Sequence, residues 1–161
     1  MVFAAGCACG VARAQDAATG TVLTVTGDVK TPLHLSLDDL RRMPRRKITA
    51  RNPHEHQDQV YEGVALAEVL KRAGVPQGEQ VSGEALTTFV VAEAADGYRV
   101  LFSLVETDPH FEDSDILVAD TMDGAPLGKD EGPVKLVLPH EKSPRRWIRM
   151  VRSLKVETAS P

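Results

Sequence analysis

The residues best suited to hold a flat ligand lie in the segment 143–149, Ser-Pro-Arg-Arg-Trp-Ile-Arg. Trp147 is the only tryptophan of the 161 residues, and Arg145 and Arg146 precede it directly. An indole offers a face for stacking, and a guanidinium can stack or donate paired hydrogen bonds. Arginines on both sides favour an accessible indole, so all three residues are candidate ligand contacts. The alternatives are a core tryptophan with a tethered indole N–H and ordinary surface charge for the arginines.

Carboxylates are concentrated between Phe102 and Gly132, where nine acids accompany one base. Glu106, Asp108 and Asp115 lie in this stretch, and a carboxylate can accept hydrogen bonds from the N–H groups of a ligand. Helix caps or solvated acids are the alternatives for each. The C-terminal stretch carries the opposite charge: Lys142, Arg145, Arg146, Arg149, Arg152 and Lys155. If the two segments meet at one cleft, its field would suit a small zwitterionic or hydrogen-bonding ligand; if not, they are solvated faces.

A further polar segment, 51–58, contains Arg51, His54 and His56 and is predicted to be a loop. A His-x-His pair on a strand places both rings on one face, which raises the possibility of a metal site. The spacing of the remaining histidines supplies no third or fourth ligand, so no metal site is predicted. His56 is instead a candidate for ligand contact or for hydrogen bonding within the loop. Serine catalysis has no support, because no serine lies in a nucleophile-elbow motif.

The first fourteen residues are apolar and small, contain no acid and end in Ala-Arg-Ala, a pattern typical of a signal peptidase site. We expect residues 1–14 to be a signal peptide with a truncated n-region, and residues 15–161 to form one periplasmic domain. A disordered N-terminus and a lipoprotein anchor are the alternatives. Both cysteines, Cys7 and Cys9, precede the expected cleavage point, so the mature chain would contain no thiol.

Composition narrows the class of protein. The chain has a formal net charge of −4, 42% hydrophobic residues and 26% charged residues, which is typical of a globular domain with its own core. Aromatic residues make up 4%, so an acidic chain with few rings for base stacking is a poor candidate for nucleic-acid binding. No apolar run reaches the roughly 18 residues that a membrane span requires.

The elements that must position these residues follow from periodicity and caps. Ser36 with Asp39 three residues later predicts a short helix that Pro44 ends, and Ala65–Ala73 predicts a helix closed by Gly74. Strands are predicted at Thr21–Val29, Ile48–Ala50, Gln59–Tyr61, Thr87–Glu93, Tyr98–Phe102, Ile116–Ala119, Val134–Leu138 and within Trp147–Val156. This order predicts an α+β fold with a mixed β-sheet and a few short helices. A basic cluster, Arg41, Arg42, Arg45, Arg46 and Lys47, is interpreted as a solvated helix terminus, with an anion site as the alternative.

Several phrases together resemble the oxidoreductase molybdopterin-binding domain, which has the sulfite oxidase-like (SUOX-like) fold. They are Thr26-Gly27-Asp28-Val29, Pro32-Leu33, Leu37-Asp38-Asp39-Leu40, Tyr61-Glu62-Gly63-Val64-Ala65-Leu66, Val69-Leu70, Ala73-Gly74, Asp96-Gly97-Tyr98, Asp123-Gly124-Ala125-Pro126-Leu127, Gly132-Pro133-Val134-Lys135-Leu136-Val137, Pro139 and Arg146-Trp147. Their order and spacing, from about Thr21 to Val156, carry the resemblance; no single phrase is specific.

One departure from the family pattern concerns the metal. Catalytic members bind molybdenum through a cysteine after an early strand, and here the region Ile48–His56 contains none. The chain therefore resembles the cysteine-less periplasmic pterin-binding proteins of the PruR type. That resemblance implies a bound pterin, reduced or molybdopterin-like, with molybdenum not expected, and a membrane partner that makes or degrades cyclic di-GMP. The alternatives are a molybdopterin-dependent oxidoreductase with an atypical metal ligand and an interaction-only domain with a decayed pocket.

The resemblance also directs attention to particular contacts. A pterin needs a plane to stack on, a carboxylate for its paired N–H groups and donors for its carbonyl. The predicted pterin-binding residues are Trp147, Arg146, Arg145, His56, Arg51, Asp115 and Glu106. No catalytic residue is predicted.

Overall fold

Two five-stranded sheets organise the chain. The computed structural model describes residues 20–52, 55–113 and 115–160. Its elements, in chain order, are β1 (Thr21–Gly27), β2 (Leu33–Ser36), α1 (Leu37–Arg41), β3 (Arg45–Asn52), β4 (Gln57–Ala65), α2 (Leu66–Arg72), β5 (Thr88–Ala94), β6 (Arg99–Ser103), α3 (Leu104–Thr107), β7 (Leu117–Met122), β8 (Ala125–Pro126), β9 (Lys135–Val137) and β10 (Val151–Thr158). Short 3₁₀ turns lie at Gly78–Gln80, Gly83–Thr87 and Pro144–Arg146.

The first sheet joins the two ends of the described chain. Its order is β2-β1-β10-β5-β6, and β1 pairs with β10 in parallel whereas the other neighbours are antiparallel. The second sheet has the order β3-β4-β7-β8, with β9 also paired to β7, and all its pairs are antiparallel. Because β10 lies between β1 and β5, the segment just before it is anchored to the middle of a sheet.

Alternating side chains build the core. Along β5, buried positions alternate with half-buried ones, and in β1 Leu23 and Val25 are fully buried. This is the period-2 pattern of a strand with one face against the core. The buried cluster draws on both sheets and on α2, through Leu66, Val69 and Leu70. An α+β fold with a mixed sheet and short helices was expected, and the structure confirms that class.

Side-chain caps fix the short helices. The Ser36 hydroxyl accepts the Asp39 backbone N–H, and the Asp39 carboxylate accepts the Ser36 backbone N–H, which completes a capping box at α1. Ser103 and Glu106 form the same arrangement at α3. At the end of α2, Gly74 has φ +79°, and a Cβ there would lie 2.6 Å from the Lys30 side chain. The predicted cap at Ser36 and the predicted end of α2 before Gly74 are confirmed, whereas α1 ends at Arg41, before Pro44, and α3 was not predicted.

The pairing of β4 with β7 depends on a glycine. A register shift follows Glu62, and a Cβ on Gly63 would lie 2.1 Å from the Val118 carbonyl oxygen. No other residue allows the two backbones to approach this closely.

Three details differ from the sequence-based expectations. The sheet is divided into two, of which only the first is mixed, and Leu33–Ser36 forms an additional strand. The predicted loop 51–58 is shorter than expected, because β3 continues to Asn52 and β4 begins at Gln57. In the basic cluster, Arg45, Arg46 and Lys47 lie on β3 and face the carboxylates of Asp120, Asp115 and Glu62. For these three, neither a helix terminus nor an anion site is the correct interpretation.

Among the residues described, α2 is the longest helix, at seven residues, and no helix is long and apolar enough to cross a membrane. The expected signal peptide, residues 1–14, lies outside the described residues.

Candidate functional site

An acidic cleft with about 540 Å³ of empty volume lies between α3, the α3–β7 segment and the chain after β9. Its lining residues are Glu106, Glu112, Asp113, Asp115, Ile116, Leu138, Pro139, His140 and Glu141. Carboxylates therefore form one part of the cleft, and an isoleucine, a leucine and a proline form another. Of the basic C-terminal segment noted in the sequence, Arg146 reaches this cleft through its bonds to Glu106 and Glu141.

Glu106 is held in place by its helix. One of its carboxylate oxygens accepts the backbone N–H of Ser103 at 3.0 Å and the Ser103 hydroxyl at 3.1 Å. The other oxygen accepts a hydrogen bond from Arg146. Burial alone would raise the pKa of Glu106, but the hydrogen bonds from Arg146 and Ser103 outweigh burial and lower it. Glu106 is therefore an ionised acceptor at neutral pH.

Arg146 connects two walls of the acidic cleft. Its Nη1 donates to Glu141 at 2.8 Å, its Nη2 donates to Glu106, and its guanidinium lies 4.6 Å from the centre of the Phe102 ring. A guanidinium held by two carboxylates and an aromatic face has a fixed orientation. Arg146 thus positions the carboxylates, and a ligand with N–H donors would share or replace its bonds.

Asp115 lies in the segment between α3 and β7 and lines the acidic cleft. Its carboxylate is 3.4 Å from Arg46 on β3 and 3.5 Å from His140, and its side chain is 46% exposed. Such long and exposed pairs contribute little to stability. Most of the hydrogen-bonding capacity of this carboxylate is therefore open to a ligand.

Trp147 is a core residue. It is 7% exposed, its Nε1 donates to the Leu138 carbonyl at 3.0 Å, and its ring meets Tyr61 edge-on at 5.8 Å. The expectation of an accessible indole is wrong, because Trp147 and Ile148 turn inward while Arg145 and Arg149 turn outward. The tethered core tryptophan was the alternative. Whether an edge of this ring also contacts a pterin stays a prediction.

A buried polar cluster beneath Trp147 was missed by the sequence analysis. The Lys135 ammonium, 2% exposed, pairs with Glu131 at 2.8 Å and lies 5.4 and 5.5 Å from the ring centres of Tyr61 and Trp147. The Tyr61 hydroxyl donates to Gln59 at 2.8 Å. Burial, followed by nearby carboxylates, raises the pKa of Tyr61 far above its usual value. The available signal was a lysine within the apolar run Val134–Leu138.

The second cavity is the arginine pocket, with about 560 Å³ of empty volume. Its lining residues are Ala94, Asp96, Tyr98, Pro144, Arg145, Trp147, Ile148, Arg149 and Met150. Two of the predicted pterin contacts, Arg145 and Trp147, are therefore in this pocket and not in the acidic cleft.

Arg51 and His56 lie apart from both cavities. His56 sits in the β3–β4 turn with φ +55°, and Arg51 is 3.9 Å from Asp58 across the hairpin. Both side chains are exposed. His54 lies outside the described residues, and no group of three or more metal-ligating side chains is found among the residues that are described. The structure thus brings Glu106, Asp115 and Arg146 together and does not bring Arg51 or His56 to them.

These features define a small α+β domain of the sulfite oxidase-like fold with a carboxylate-lined cleft. The chain belongs to the oxidoreductase molybdopterin-binding domain family, whose model matches residues 11–161. No curated protein shows significant sequence similarity to it.

A solved structure supports the fold. The crystal structure of the sulfane dehydrogenase SoxCD from Paracoccus pantotrophus superposes with a TM-score of 0.64, at 23% sequence identity. The match covers 84% of this chain and 38% of the SoxCD chain, so the present chain spans well under half of that enzyme. At this identity the comparison shows the fold alone.

The family implies a pterin-type cofactor, and the donor set can be tested against it. The described residues supply carboxylates, arginines and an apolar wall, which fit the hydrogen-bonding edge and flat faces of a pterin. They do not fit thiolate-ligated molybdenum, because the sequence has no cysteine after Cys9.

Proposed function

We propose that this chain is a non-catalytic, periplasmic pterin-binding protein that relays pterin status to a membrane signalling partner. The observation that carries the binding step is the acidic cleft, where ionised Glu106 and half-exposed Asp115 face an apolar wall. Family membership supports the same ligand class.

The chemistry of the acidic cleft matches the edge of a pterin. The ring's amino group and adjacent N–H form a guanidine-like donor pair, which a carboxylate accepts through both oxygens. Ile116, Leu138 and Pro139 offer apolar surface for the ring faces. Arg146 and His140 lie beside the same carboxylates and can donate to the ring carbonyl.

The proposal of a non-catalytic role rests on the donor set. A molybdenum centre of the family's usual type needs a thiolate, and the segment Ile48–His56 contains no cysteine. Elemental analysis of protein purified from its native cells tests this point. Molybdenum near one atom per chain would overturn it and favour an oxidoreductase with an atypical ligand.

The relay and the periplasmic location are supported by the resemblance to PruR-type proteins and by the Ala-Arg-Ala ending of residues 1–14. Protein from the periplasmic fraction should begin at Gln15. Deleting the gene should change cellular cyclic di-GMP, and the Asp115→Asn variant should reproduce that change. An unchanged cyclic di-GMP level would reject the relay and leave the binding step standing.

Binding is tested by titrating a reduced pterin into the purified chain under anaerobic conditions and measuring the heat of binding by calorimetry. Asp115→Asn removes one charged acceptor, which is worth about 1.5–3 kcal/mol, or roughly a tenfold or greater loss of affinity. Asp130→Asn is the matched control, because Asp130 is exposed and lies outside the acidic cleft. Equal affinities for the two variants would show that the acidic cleft is not the pterin site.

Mass spectrometry of small molecules released on denaturation supplies an independent readout. We expect the wild-type protein to release a pterin and the Asp115→Asn variant to release a smaller amount of it. Protein that neither releases nor binds a pterin would instead favour the interaction-only domain.

A further inference from the structure

The strand β6 is an edge of the first sheet and has one side without a partner strand. Ala94 donates its backbone N–H to the Tyr98 carbonyl at 2.9 Å, which fixes the alternation of the β5–β6 ladder. Because bonded and non-bonded pairs alternate in an antiparallel ladder, the backbone N–H and carbonyl groups of Arg99 and Leu101 point away from β5. Within the described part of the chain, no hydrogen bond engages these four groups.

The helix after β6 closes one end of this edge. Ser103 also points away from β5, but its N–H is bonded to the Glu106 carboxylate at 3.0 Å in the capping box of α3. The free part of the edge therefore consists of Arg99 and Leu101, each with one backbone donor and one backbone acceptor.

Charge protects the corresponding edge of the second sheet but not β6. The strand β3 forms that edge and carries Arg45, Arg46, Lys47 and Arg51. Proteins blunt exposed edges with charged side chains of this kind, because an unprotected edge is a template for pairing with another strand. The strand β6 carries one charged residue, Arg99 at its first position. Its edge is therefore available for pairing.

Apolar side chains lie on the outer face of the sheet beside the same edge. Leu101 is 54% exposed and lies opposite Val91 in the ladder, and Phe89 is two residues away from Val91 on β5. Phe89 and Val91 are half-buried, and none of the three belongs to the hydrophobic core or packs against it. A strand added at β6 would place a side chain directly beside Leu101 and extend this apolar surface.

We propose that the β6 edge is a self-association surface, at which β6 of a second copy pairs antiparallel about a two-fold axis at Val100. In this register Arg99 of each copy lies opposite Leu101 of the other, so all the free donors and acceptors of both edges form hydrogen bonds. A two-fold axis at Leu101 would instead place Arg99 opposite Ser103, whose N–H is already bonded to Glu106.

Charge favours a second copy as the occupant of this edge. The start of β6 carries the Arg99 cation, and its end leads into Glu106, whose carboxylate lines the acidic cleft. Antiparallel pairing of two copies places the start of each strand beside the end of the other, so opposite charges approach each other. Arg99 itself lies opposite Leu101 and faces no cation. This inference does not depend on the proposed function.

The size of the surface sets the strength of the association. Two free residues and one exposed leucine bury less area than a stable dimer requires, so we expect a transient dimer. Sedimentation equilibrium of the purified full chain, from about 5 µM to about 1 mM, measures it. The chain should be monomeric at the low end, where thermal unfolding is followed, and dimeric at the high end. A wild type that is monomeric throughout would overturn the proposal.

Opposite charges at one position test the register. Leu101→Lys should weaken association about tenfold or more, because its ammonium lies opposite Arg99 and the substitution acts twice in the dimer. Leu101→Glu should weaken it less, because its carboxylate lies opposite the same cation. Thr49→Lys is the control, since Thr49 is exposed on the β3 edge, and it should change the affinity less than about twofold. Equal weakening by Leu101→Lys and either of the other variants would overturn the proposal.

A cross-link locates the two-fold axis independently. The two copies of Val100 would form a non-hydrogen-bonded pair with Cα atoms about 4.5 Å apart, a distance that a disulfide spans. Val100→Cys, treated with oxidised glutathione, should give a dimer whose tryptic digest contains a peptide joining position 100 of both copies. Mass spectrometry distinguishes this link from links through Cys7 and Cys9. Absence of the link, or an equally abundant link in Thr49→Cys, would overturn the proposal, and neither outcome bears on pterin binding.

Discussion

Replacing Trp147 by alanine separates a role in folding from a role in ligand binding. The side chain is 7% exposed, its indole N–H bonds the Leu138 carbonyl, and its ring packs edge-on against Tyr61. An alanine would leave a cavity beside Tyr61 and the Lys135 ammonium. We therefore expect a large loss of stability.

The size of that loss follows from the burial. Truncating a buried tryptophan to alanine costs about 3–5 kcal/mol of unfolding free energy. In a domain of this length each kcal/mol shifts Tm by about 2–4 °C, so Trp147→Ala should lower Tm by roughly 6–20 °C. Trp147→Phe keeps a ring against Tyr61 and loses the bond to Leu138, which costs about 1–2 kcal/mol. The Tm of Trp147→Phe should lie between that of the wild type and that of Trp147→Ala.

Thermal unfolding followed by far-ultraviolet circular dichroism measures these shifts without relying on tryptophan fluorescence. Leu101→Ala is the control, because Leu101 is a large apolar residue that is 54% exposed. Its Tm should stay within about 2 °C of wild type, as expected for surface substitutions. If Trp147→Ala behaves like Leu101→Ala, while pterin affinity is lost, the argument from burial is refuted and Trp147 is a ligand contact.

Two further predictions concern the framework. Burial alone would raise the pKa of Asp120, but hydrogen bonds from Arg45 and Thr121 lower it. The ionised carboxylate therefore contributes to the free energy of unfolding above the unfolded pKa of about 3.9, and this contribution is lost as the pH falls below that value. Asp120→Asn should cost about 2 kcal/mol at neutral pH and flatten the fall of the urea midpoint below about pH 5; an unchanged pH profile would contradict this. Gly63→Ala should cost several kcal/mol in the same assay, because its Cβ would clash with the Val118 carbonyl, whereas Gly128→Ala, with open space, should be nearly neutral.

Local signals predicted α1 and α2, because each signal lies within a few residues of the helix end that it marks; α3 was not predicted. The Ser36 and Asp39 capping box and Gly74 after α2 depend on contacts between near neighbours. The division into two sheets depends on pairings such as β1 with β10, which join opposite ends of the chain. No local periodicity encodes that partner choice, so a single mixed sheet was the natural expectation.

The candidate site was predicted only in part, because charge can be read from the sequence whereas the burial of a side chain depends on the fold. The opposite charges of the two segments led to the prediction that Glu106, Asp115 and Arg146 belong to one ligand site. In the fold, Glu106 and Asp115 line one cleft and Arg146 bonds Glu106. Exposure of Trp147 was inferred from its charged neighbours in sequence, but in an irregular segment successive side chains point in different directions. Lys135 was missed because strand periodicity treats a lysine as solvent-facing, whereas its ammonium is buried between two rings and a carboxylate.

The electrostatics of the acidic cleft favour a neutral ligand with several N–H donors over a metal cation. Three of its five lining carboxylates already have cationic partners: Arg146 binds Glu106 and Glu141, and Arg46 faces Asp115. A divalent cation would have to approach these guanidinium groups, which repel it, and would need carboxylates free of competing bonds. A neutral heterocycle meets no such repulsion and can share the carboxylate oxygens, since each oxygen accepts more than one hydrogen bond. Affinity for a reduced pterin should therefore depend only weakly on salt, and a steep loss of binding between about 50 and 500 mM salt, well beyond the screening of exposed charges, would contradict recognition by hydrogen bonding.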